Sequence, residues 1–547
     1  MLKSAIKYLN GFMWKDKLRF PLEQSLGLIK RNPKEILFGL YMVFVLSISV
    51  AASAQNGIQY GTMMFSSLAL VSVYLIVPKV GAKIRNINCD IVIPEKKDIV
   101  RFSCISTLVF FVIFLFWFVA YFPGAFSPDS INQYGQAVLG RYNDWHPALH
   151  TLFVFFLPLK LTGIDASIVF FQIVCFALVL GVVATTVYQF CGEKWTVMLM
   201  LPVAISPWTY NIAMYPWKDV SFALAAALCM VVAMQIYCRK KASIGKLMLF
   251  VVLLTFATVF RHNGFLFTGT LIFALFFQMP IKRWLFLLGF FVVAIGFVRG
   301  PLYAMLDVEK PGNRVVETMG FPLSVIMFVA KECPDCLNDE TSEFVRMLTR
   351  AAPDWKSNYD LTGFPSIKYG RIDLAVIENA GRLKIMRMLT NCILSDPIHS
   401  AIAIVAMTSI VYGLEINCDH EIEIISNEYG IVYGGSAVLS KIARNYSMVV
   451  RKTPIRYFVA TIGMPILVML AFVLFRTRLR KDDCKRVLLC LPIFTYDFGT
   501  MFIMSGAESR FFYVTMLICP LVIAVMLRES VPNVPKEKKI PFSENSN

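Results

Sequence analysis

Charged residues are scarce in this chain. They make up only 16% of its 547 residues, whereas hydrophobic residues make up 57% and the mean hydropathy is +0.63. A soluble protein of this length could not bury so much apolar surface, which excludes a soluble globular fold. The charge is also unbalanced, with 53 basic and 36 acidic residues. Because the basic residues stand in short clusters between apolar runs, they indicate membrane orientation, and nucleic-acid binding is disfavoured.

Several familiar signals are missing as well. The sequence has no nucleotide-binding or Rossmann-type motif and no repeat of 20–50 residues, and apart from one Cys-x-x-Cys pair no metal-type Cys/His spacing stands out. Its first residues are basic and amphipathic, unlike the apolar core of a cleavable signal peptide. Of the thirteen cysteines, only Cys333 and Cys336 are paired, in a polar loop. They predict a local disulfide or two free thiols rather than a redox or zinc site.

Apolar runs of spanning length predict an all-α polytopic membrane protein of about twelve transmembrane helices. The runs at 147–161 and 400–414 are interpreted as interfacial helices. Counting either one as a span would place basic clusters outside, against the positive-inside rule. The twelve spans are predicted at roughly 35–54, 61–79, 102–122, 165–190, 195–213, 219–237, 247–260, 264–280, 284–300, 455–475, 487–504 and 511–527.

This topology makes the protein a multi-pass component of the cell membrane with both termini in the cytoplasm. The predicted regions are a cytoplasmic amphipathic N-terminus (1–34), a transmembrane bundle (35–300) that includes a first external loop (121–163), a large, mainly helical external segment (301–454), C-terminal transmembrane helices (455–527) and a cytoplasmic tail (528–547).

The same topology collects polar residues on the external face, where loops at the ends of rigid helices usually carry function. These residues are Asp129, Asp144, His146, Lys218, Asp219, Arg261, His262, Glu317, Glu508 and Arg510. Inside the predicted spans, Asp497 is almost alone as an ionisable residue and is a functional hypothesis by default. So little charge in the spans disfavours an ion-coupled transporter.

The first external loop contains two predicted helix starts, one at Ser127–Asp129 and one at Asp144–Pro147, where Pro147 would be the first helical residue. Ser127 and Pro128 are typical of an N-cap and a first helical position, which places Asp129 in the first turn. Asp129 either complements the helix dipole or accepts a proton from a substrate hydroxyl. His146 and His150 have the spacing of a metal-binding pair, but the Glu of metalloprotease helices is missing. Capping for His150 and a substrate or phosphate contact for His146 are favoured.

The other external residues also have two interpretations each. Lys218 and Asp219 belong either to an interfacial aromatic belt or to a site. Arg261 and His262 interrupt an apolar stretch, which indicates an anionic partner such as phosphate or a plain turn between spans. Arg510 either pairs structurally with Glu508 or clamps a phosphate.

Two motifs resemble the GT-C superfamily of membrane glycosyltransferases. The first is an acidic residue, Asp129, followed by Asp144-Trp145-His146-Pro147 before an interfacial helix. It resembles protein O-mannosyltransferases, except that Ser130 and Ala148 replace an acid and a second proline. The second is Glu508-x-Arg510-Phe511-x-Tyr513, which is similar to lipid-linked mannosyltransferases, with Val514 in place of a proline.

This resemblance implies a GT-C-like bundle that transfers a sugar from a polyprenyl-phosphate donor to a lipid, polymer or protein acceptor at the external membrane face. Asp129 would be the base of an inverting displacement, with Asp144 and Glu317 as further acidic residues near the acceptor. The donor phosphate would be bound by His146, Lys218, Arg261, His262 and Arg510, supported by Asp219, Glu508 and Tyr513.

No metal is assigned, although Asp129 with Asp144 or Glu317 could supply oxygen ligands to a divalent cation. Two other functions stay open. One is transport of lipid-linked sugars across the membrane. The other is a non-catalytic role in membrane assembly, which the loss of the acidic neighbour at Ser130 keeps open.

Overall fold

The computed structural model describes most of the chain. The described residues are 33–53, 76–87, 94–239, 243–310, 314–360, 363–368, 370, 372–414, 418, 420–477, 481–504 and 506–528. Nearly all of the predicted N-terminal segment, most of the second predicted span and nearly all of the tail lie outside them. Within them the chain forms helices and two isolated β-bridges, but no strand.

The first 310 residues contribute the helices that flank the polar loops. They are α1 (Pro33–Ser53), α2 (76–85), α3 (Lys96–Ala120), α4 (Pro128–Leu139), α5 (Ala148–Thr162), α6 (Ala166–Ala204), α7 (Pro207–Ala213), α8 (Lys218–Arg239), α9 (Ile244–Val259), α10 (Phe265–Phe276) and α11 (Ile281–Met305).

Five helices in the described residues are long and apolar enough to cross a membrane: Lys96–Ala120, Ala166–Ala204, Lys218–Cys238, Ile281–Met305 and Ser509–Leu527. A sixth would be the pair Leu374–Ser395 and Pro397–Tyr412, bent by 119°, if both halves belong to one span. An all-helical architecture with several helices of membrane-spanning length is therefore confirmed, and the count of twelve stays a prediction.

Burial divides these helices into inner and outer ones. Within the most apolar window, 83% of Ser509–Leu527 and 78% of Lys218–Cys238 is buried, against 22% of α3 and 11% of α11. An apolar helix that buries so little of itself in protein has the surface expected of contact with lipid. The helices that begin at Lys218 and Ser509 are thus central, and both carry polar residues at their first turn.

The helix α6 contains a backbone break that divides two predicted spans. Gly192 has a φ of 78°, so the helix changes direction there. The predicted run at 195–213 is divided again, because α6 ends at Ala204 and the short α7 follows. Ser206 caps α7 by accepting a hydrogen bond from the Thr209 amide, 3.2 Å away.

The segment 314–412 builds a hydrophobic core of its own. Its helices are α12 (Arg314–Thr318), α13 (Gly320–Glu332), α14 (Asp339–Leu348), α15 (Trp355–Asn358), α16 (Pro365–Lys368), α17 (Leu374–Ser395) and α18 (Pro397–Tyr412). Every residue of α13 from Gly320 to Ala330 is buried. The expectation of a mainly helical segment agrees with this part of the chain. Cys333 and Cys336 form the local disulfide that was one of the two expectations.

The chain returns to the bundle with α19 (Ala437–Lys452), α20 (Arg456–Val459), α21 (Gly463–Arg476) and α22 (Lys481–Thr500). A short 3-10 turn, Ser509–Phe512, then leads into α23 (Tyr513–Leu527). α23 packs against α6, α8 and α21 at the centre of the protein.

The first polar loop begins as predicted. Ser127 caps α4, Pro128 is its first residue, and Gly140 ends it in the left-handed conformation with a φ of 66°. The next helix, α5, is apolar but falls below the length of a candidate span. These two short helices place the loop residues between them against the ends of α8 and α23.

Candidate functional site

Four separate connections of the chain meet around Asp129. Arg510, from the turn before α23, donates a hydrogen bond from Nη1 to Asp129 Oδ2 at 2.9 Å. His146 Nε2, from the end of the first loop, lies 3.9 Å from Asp129 Oδ1. Lys218, the first residue of α8, has its Nζ 3.3 Å from His146 Nδ1. We call Asp129, His146, Lys218 and Arg510, together with the ion pair Asp219–Arg261 that supports them, the cationic centre.

Asp129 is the accessible acid of this group, with 32% of its side chain exposed. Burial raises the pKa of Asp129, but Arg510, His146 and Lys218 outweigh it and hold the pKa below the usual aspartate value. Asp129 is therefore an ionised hydrogen-bond acceptor at neutral pH. While Arg510 is bound to it, it is also a weak base.

His146 is almost completely buried, with 3% of its side chain exposed. Burial and the neighbouring Lys218 lower the pKa of His146 to about 3, against the opposing effect of Asp129. The imidazole is therefore neutral at neutral pH. Since an ammonium group can only donate, Nδ1 accepts from Lys218 and the ring proton lies on Nε2, on the side of Asp129.

A buried ion pair supports the centre from behind. Asp219, 2% exposed, pairs with Arg261, 7% exposed. Arg261 also donates from Nε to Asn263 Oδ1 at 2.5 Å and lies 4.2 Å from the centre of the Phe511 ring. Arg510 Nε is 3.8 Å from Asp219 Oδ2. Arg261 is thus held by protein groups, and its contacts position Asp219 and Arg510.

The charges of the centre do not cancel. Lys218, Arg261 and Arg510 stand against Asp129 and Asp219, and His146 is neutral, which leaves one positive charge. Glu508 lies at the edge, 46% exposed, with Oε2 3.6 Å from Arg510 Nε. Counting Glu508 brings the sum to zero, but its carboxylate lies at the exposed edge, so the buried part of the site keeps a surplus positive charge that is suited to an anion.

An aromatic residue connects Arg510 to the start of α4. The guanidinium of Arg510 lies 4.7 Å from the centre of the Trp217 ring, which in turn stacks on Tyr215 at 4.0 Å. Trp217 Nε1 donates to Ser127 Oγ at 2.8 Å. The residue that caps α4 is therefore bonded to the residue that supports Arg510, and this fixes Asp129 and Arg510 relative to each other.

Sequence reasoning missed His420. Its Nε2 lies 2.9 Å from Ser509 Oγ, and its ring meets Trp217 edge-to-face at 5.5 Å. Burial, Arg510 and Arg451 lower the pKa of His420 to about 4. The only available signal was its rarity, since the chain has five histidines. Nothing in the local sequence shows that the chain returns to the first loop here, through the bridge between Phe126 and Ile424.

Two of the expected acidic residues lie beside the centre. Asp144 accepts a hydrogen bond from the Tyr303 hydroxyl at 3.2 Å. Burial lowers the pKa of His262 although Asp144 opposes the shift. Glu317 pairs with Lys368, whose ammonium lies 5.7 Å from the ring of Trp145. Asp144, His262 and Glu317 therefore lie around the centre. None of the contacts described for them involves Arg510.

The remaining expected residues have structural contacts. Tyr513 is fully buried, with its hydroxyl 3.2 Å from Thr209 Oγ1. Asp497 is fully buried, and both of its oxygens lie 2.8 Å from Thr515 Oγ1. Both ring nitrogens of His150 are within hydrogen-bonding distance of protein groups, at 2.7 Å from Gln133 and 3.1 Å from Ser221. His150 therefore has a structural role, but not the capping role that was expected, because it lies inside α5 and links this helix to α4 and α8.

Within the part of the chain that the structure describes, no group of three or more His, Cys, Asp or Glu ligands forms around Asp129. Its neighbours Arg510 and Lys218 are cations, so the surroundings oppose a divalent ion there. No protein-family model, curated protein or solved structure matches the chain. The function is therefore inferred from the geometry and the charges of the cationic centre.

Proposed function

We propose that the protein is an integral-membrane glycosyltransferase of the GT-C type. It transfers a sugar from a polyprenyl-phosphate donor to a lipid, polymer or protein acceptor on the external membrane face, by an inverting displacement. The proposal includes the bundle of about twelve spans with cytoplasmic termini. The observation that carries it is the contact of the partly exposed carboxylate of Asp129 with Arg510, beside Lys218 and His146.

The contact between Asp129 and Arg510 implies that the donor binds before Asp129 acts as a base. A carboxylate bonded to arginine is a weak base, and a charge-assisted hydrogen bond of this kind is worth about 1.5–3 kcal/mol. The phosphodiester of an incoming donor carries one negative charge and would offer Arg510 a competing anion, and that charge grows as the sugar leaves. When Arg510 turns to the phosphate, Asp129 loses its counter-ion and becomes a stronger base for the acceptor hydroxyl.

The leaving group of this reaction is a polyprenyl phosphate, which gains negative charge as the sugar departs. Arg510 and Lys218 supply cations where that charge would develop, which stabilises the transition state more than the ground state. The neutral His146 keeps Lys218 oriented, since its Nδ1 accepts from the ammonium. Arg261 contributes indirectly. It neutralises the charge of Asp219, so that Arg510 is able to move toward the phosphate.

The helices around the centre suit a substrate with a lipid tail. The centre lies at the first turns of α8 and of the Ser509–Leu527 helix, two of the five helices of spanning length. A donor anchored by its polyprenyl chain would reach the end of a span without leaving the membrane. The exposed apolar faces of α3 and α11 are suited to lipid contact.

The decisive experiment compares wild type, Asp129→Asn and Asp165→Asn in membranes given a panel of radiolabelled polyprenyl-phosphate sugars. Asp165 is the matched control, since it lies just after the same loop, before α6, and accepts a hydrogen bond from Tyr134 at 2.6 Å, outside the centre. Loss of the base should reduce transfer about 10²–10⁴-fold, and the control should keep it. Full transfer by Asp129→Asn would refute the assigned role of Asp129. No transfer by wild type from any donor would favour the transport or assembly function.

A further inference from the structure

A second cluster of reactive groups lies in the unit built by 314–412. The sulfurs of Cys333 and Cys336 and a carboxylate oxygen of Asp396 all lie within 4.8 Å of one another. The cluster uses none of the residues of the cationic centre, so it is independent of the proposed transfer reaction. In this structure the two sulfurs are bonded to each other.

Regular backbone structure brings these groups together. Cys333 ends the buried helix α13, donating its amide to Val329 O at 2.8 Å, and Cys336 closes the following turn through a 3.0 Å bond to Cys333 O. Asp396 begins α18, where its side chain caps the helix by accepting from the His399 amide at 3.1 Å. Because α13 packs against α18 in a shared core, the turn that holds the cysteines and the cap residue Asp396 stay close together.

The carboxylate is both buried and oriented. Asp396 is 8% exposed, and its Oδ2 lies 2.6 Å from His399 Nδ1. A carboxylate hydrogen-bonded to histidine next to a Cys-x-x-Cys pair is a combination that binds thiophilic metal ions.

We propose that Cys333, Cys336 and Asp396 form a redox-gated site for a thiophilic divalent ion such as Zn²⁺, with His399 as its positioning residue. The disulfide state closes the site. A dithiol reductant opens it by supplying two electrons and two protons, which break the S–S bond to give two thiols while the reductant becomes a disulfide. Binding of the ion then releases the two thiol protons to solvent, since the ligands are thiolates.

The distances allow this change without refolding. Bonds of about 2.0–2.3 Å in a tetrahedral zinc site place the ligand atoms about 3.3–3.8 Å apart. The three ligand atoms already lie within 4.8 Å, so shifts of about 1 Å suffice. The Cα atoms of the two cysteines are 5.4 Å apart, and their two-residue spacing is that of structural zinc sites.

The test uses the full-length protein in detergent. Oxidised protein and protein reduced with a dithiol are incubated with Zn²⁺, desalted and analysed for metal content. We expect the reduced wild type to retain one more ion per chain than either the oxidised wild type or the reduced Cys333→Ser/Cys336→Ser variant. That comparison removes the contribution of the other cysteines, of which Cys104 and Cys484 are exposed.

A matched pair of substitutions tests the carboxylate. Asp396→Asn should weaken zinc binding, although asparagine can still cap α18. Asp373→Asn makes the same change at the cap of α17, where Asp373 accepts from the Ala375 amide at 3.0 Å, and should have no effect. His399→Ala should weaken binding about 10–100-fold, as expected for loss of a group that orients a ligand.

A second measurement needs no variant. Mass spectrometry after maleimide labelling should show that Zn²⁺ protects Cys333 and Cys336 of the reduced wild type from alkylation. Equal labelling with and without the ion would overturn the proposal. Equal zinc content in oxidised and reduced protein would do the same, as would a disulfide that resists the dithiol until the protein unfolds.

Discussion

Arg510 donates to Asp129 across 2.9 Å, and the two residues are 381 positions apart in the chain. Each of the two residues is also held in place by contacts of its own. Asp129 lies in the first turn of α4, whose cap Ser127 is bonded to Trp217, and the guanidinium of Arg510 lies over the same Trp217 ring. The indole therefore holds both ends of the ion pair in place, and the pair can be disturbed from either side.

Replacement of Arg510 by lysine should separate charge from geometry. Lysine keeps the positive charge but loses the planar group that lies over Trp217 and reaches Asp129. In the proposed reaction Arg510 turns to the departing phosphate, and loss of one charge-assisted hydrogen bond to it, about 1.5–3 kcal/mol, corresponds to a fall of roughly 10–100-fold in transfer. We expect this fall in the radiolabel assay, with a midpoint of thermal unfolding near that of wild type. Transfer at the wild-type level would show that charge alone is sufficient.

The buried pair Asp219–Arg261 should behave as a unit. Asp219→Leu leaves the buried Arg261 without its counter-ion, and such a change costs about 3–5 kcal/mol. The double variant Asp219→Leu/Arg261→Met removes both charges and should recover part of that loss. The check is thermal unfolding of the two single variants and the double variant in detergent. If the losses of the single variants simply add in the double variant, the two side chains are not coupled.

The sequence predicted the local features of the centre well, for a physical reason. Ser127 and Pro128 favour a helix start, because capping and proline geometry involve only neighbouring residues. The positive-inside rule then placed Lys218, Arg261 and Arg510 on one side of the membrane with Asp129. In the structure these residues do meet.

The partners within that face could not be predicted. The sequence offered Arg261 as a phosphate ligand, whereas the fold pairs it with Asp219 and places it against Phe511. It offered Glu508 as the partner of Arg510, and the two do pair at 3.6 Å, but Asp129 lies closer, at 2.9 Å. His420 was missed because its position depends on how the segment after 414 packs against the first loop. Such pairings depend on tertiary contacts, which hydrophobic runs and charge clusters do not encode.

Stability should fall in acid through His146. Its pKa in the folded protein is about 3, below the value of about 6.5 in an unfolded chain. The stabilisation is therefore complete above pH 6.5 and is lost as pH falls toward 3, at about 1.4 kcal/mol per pH unit for this group. Thermal unfolding from pH 7.5 to 4.5 should show a shallower loss for His146→Gln than for wild type. Parallel curves would mean that His146 is not a buried neutral imidazole.

The first polar loop enters the site through a glycine that tolerates no side chain. Gly124 has a φ of 118°, and a Cβ atom there would lie 2.4 Å from Val169 Cγ2 on α6. Gly124→Ala therefore adds a steric clash to a backbone conformation that only glycine adopts easily, and should cost about 1–3 kcal/mol or more. Gly140 is the matched control, because its φ is 66° and a Cβ atom would meet nothing within 4 Å. Gly140→Ala should lose only about 1–2 kcal/mol.

The midpoints of thermal unfolding check this order of stabilities. Transfer by Gly124→Ala should fall further than its loss of stability accounts for, because Asp129 follows in the same loop. Equal effects of the two substitutions would show that the loop does not depend on the close approach to α6.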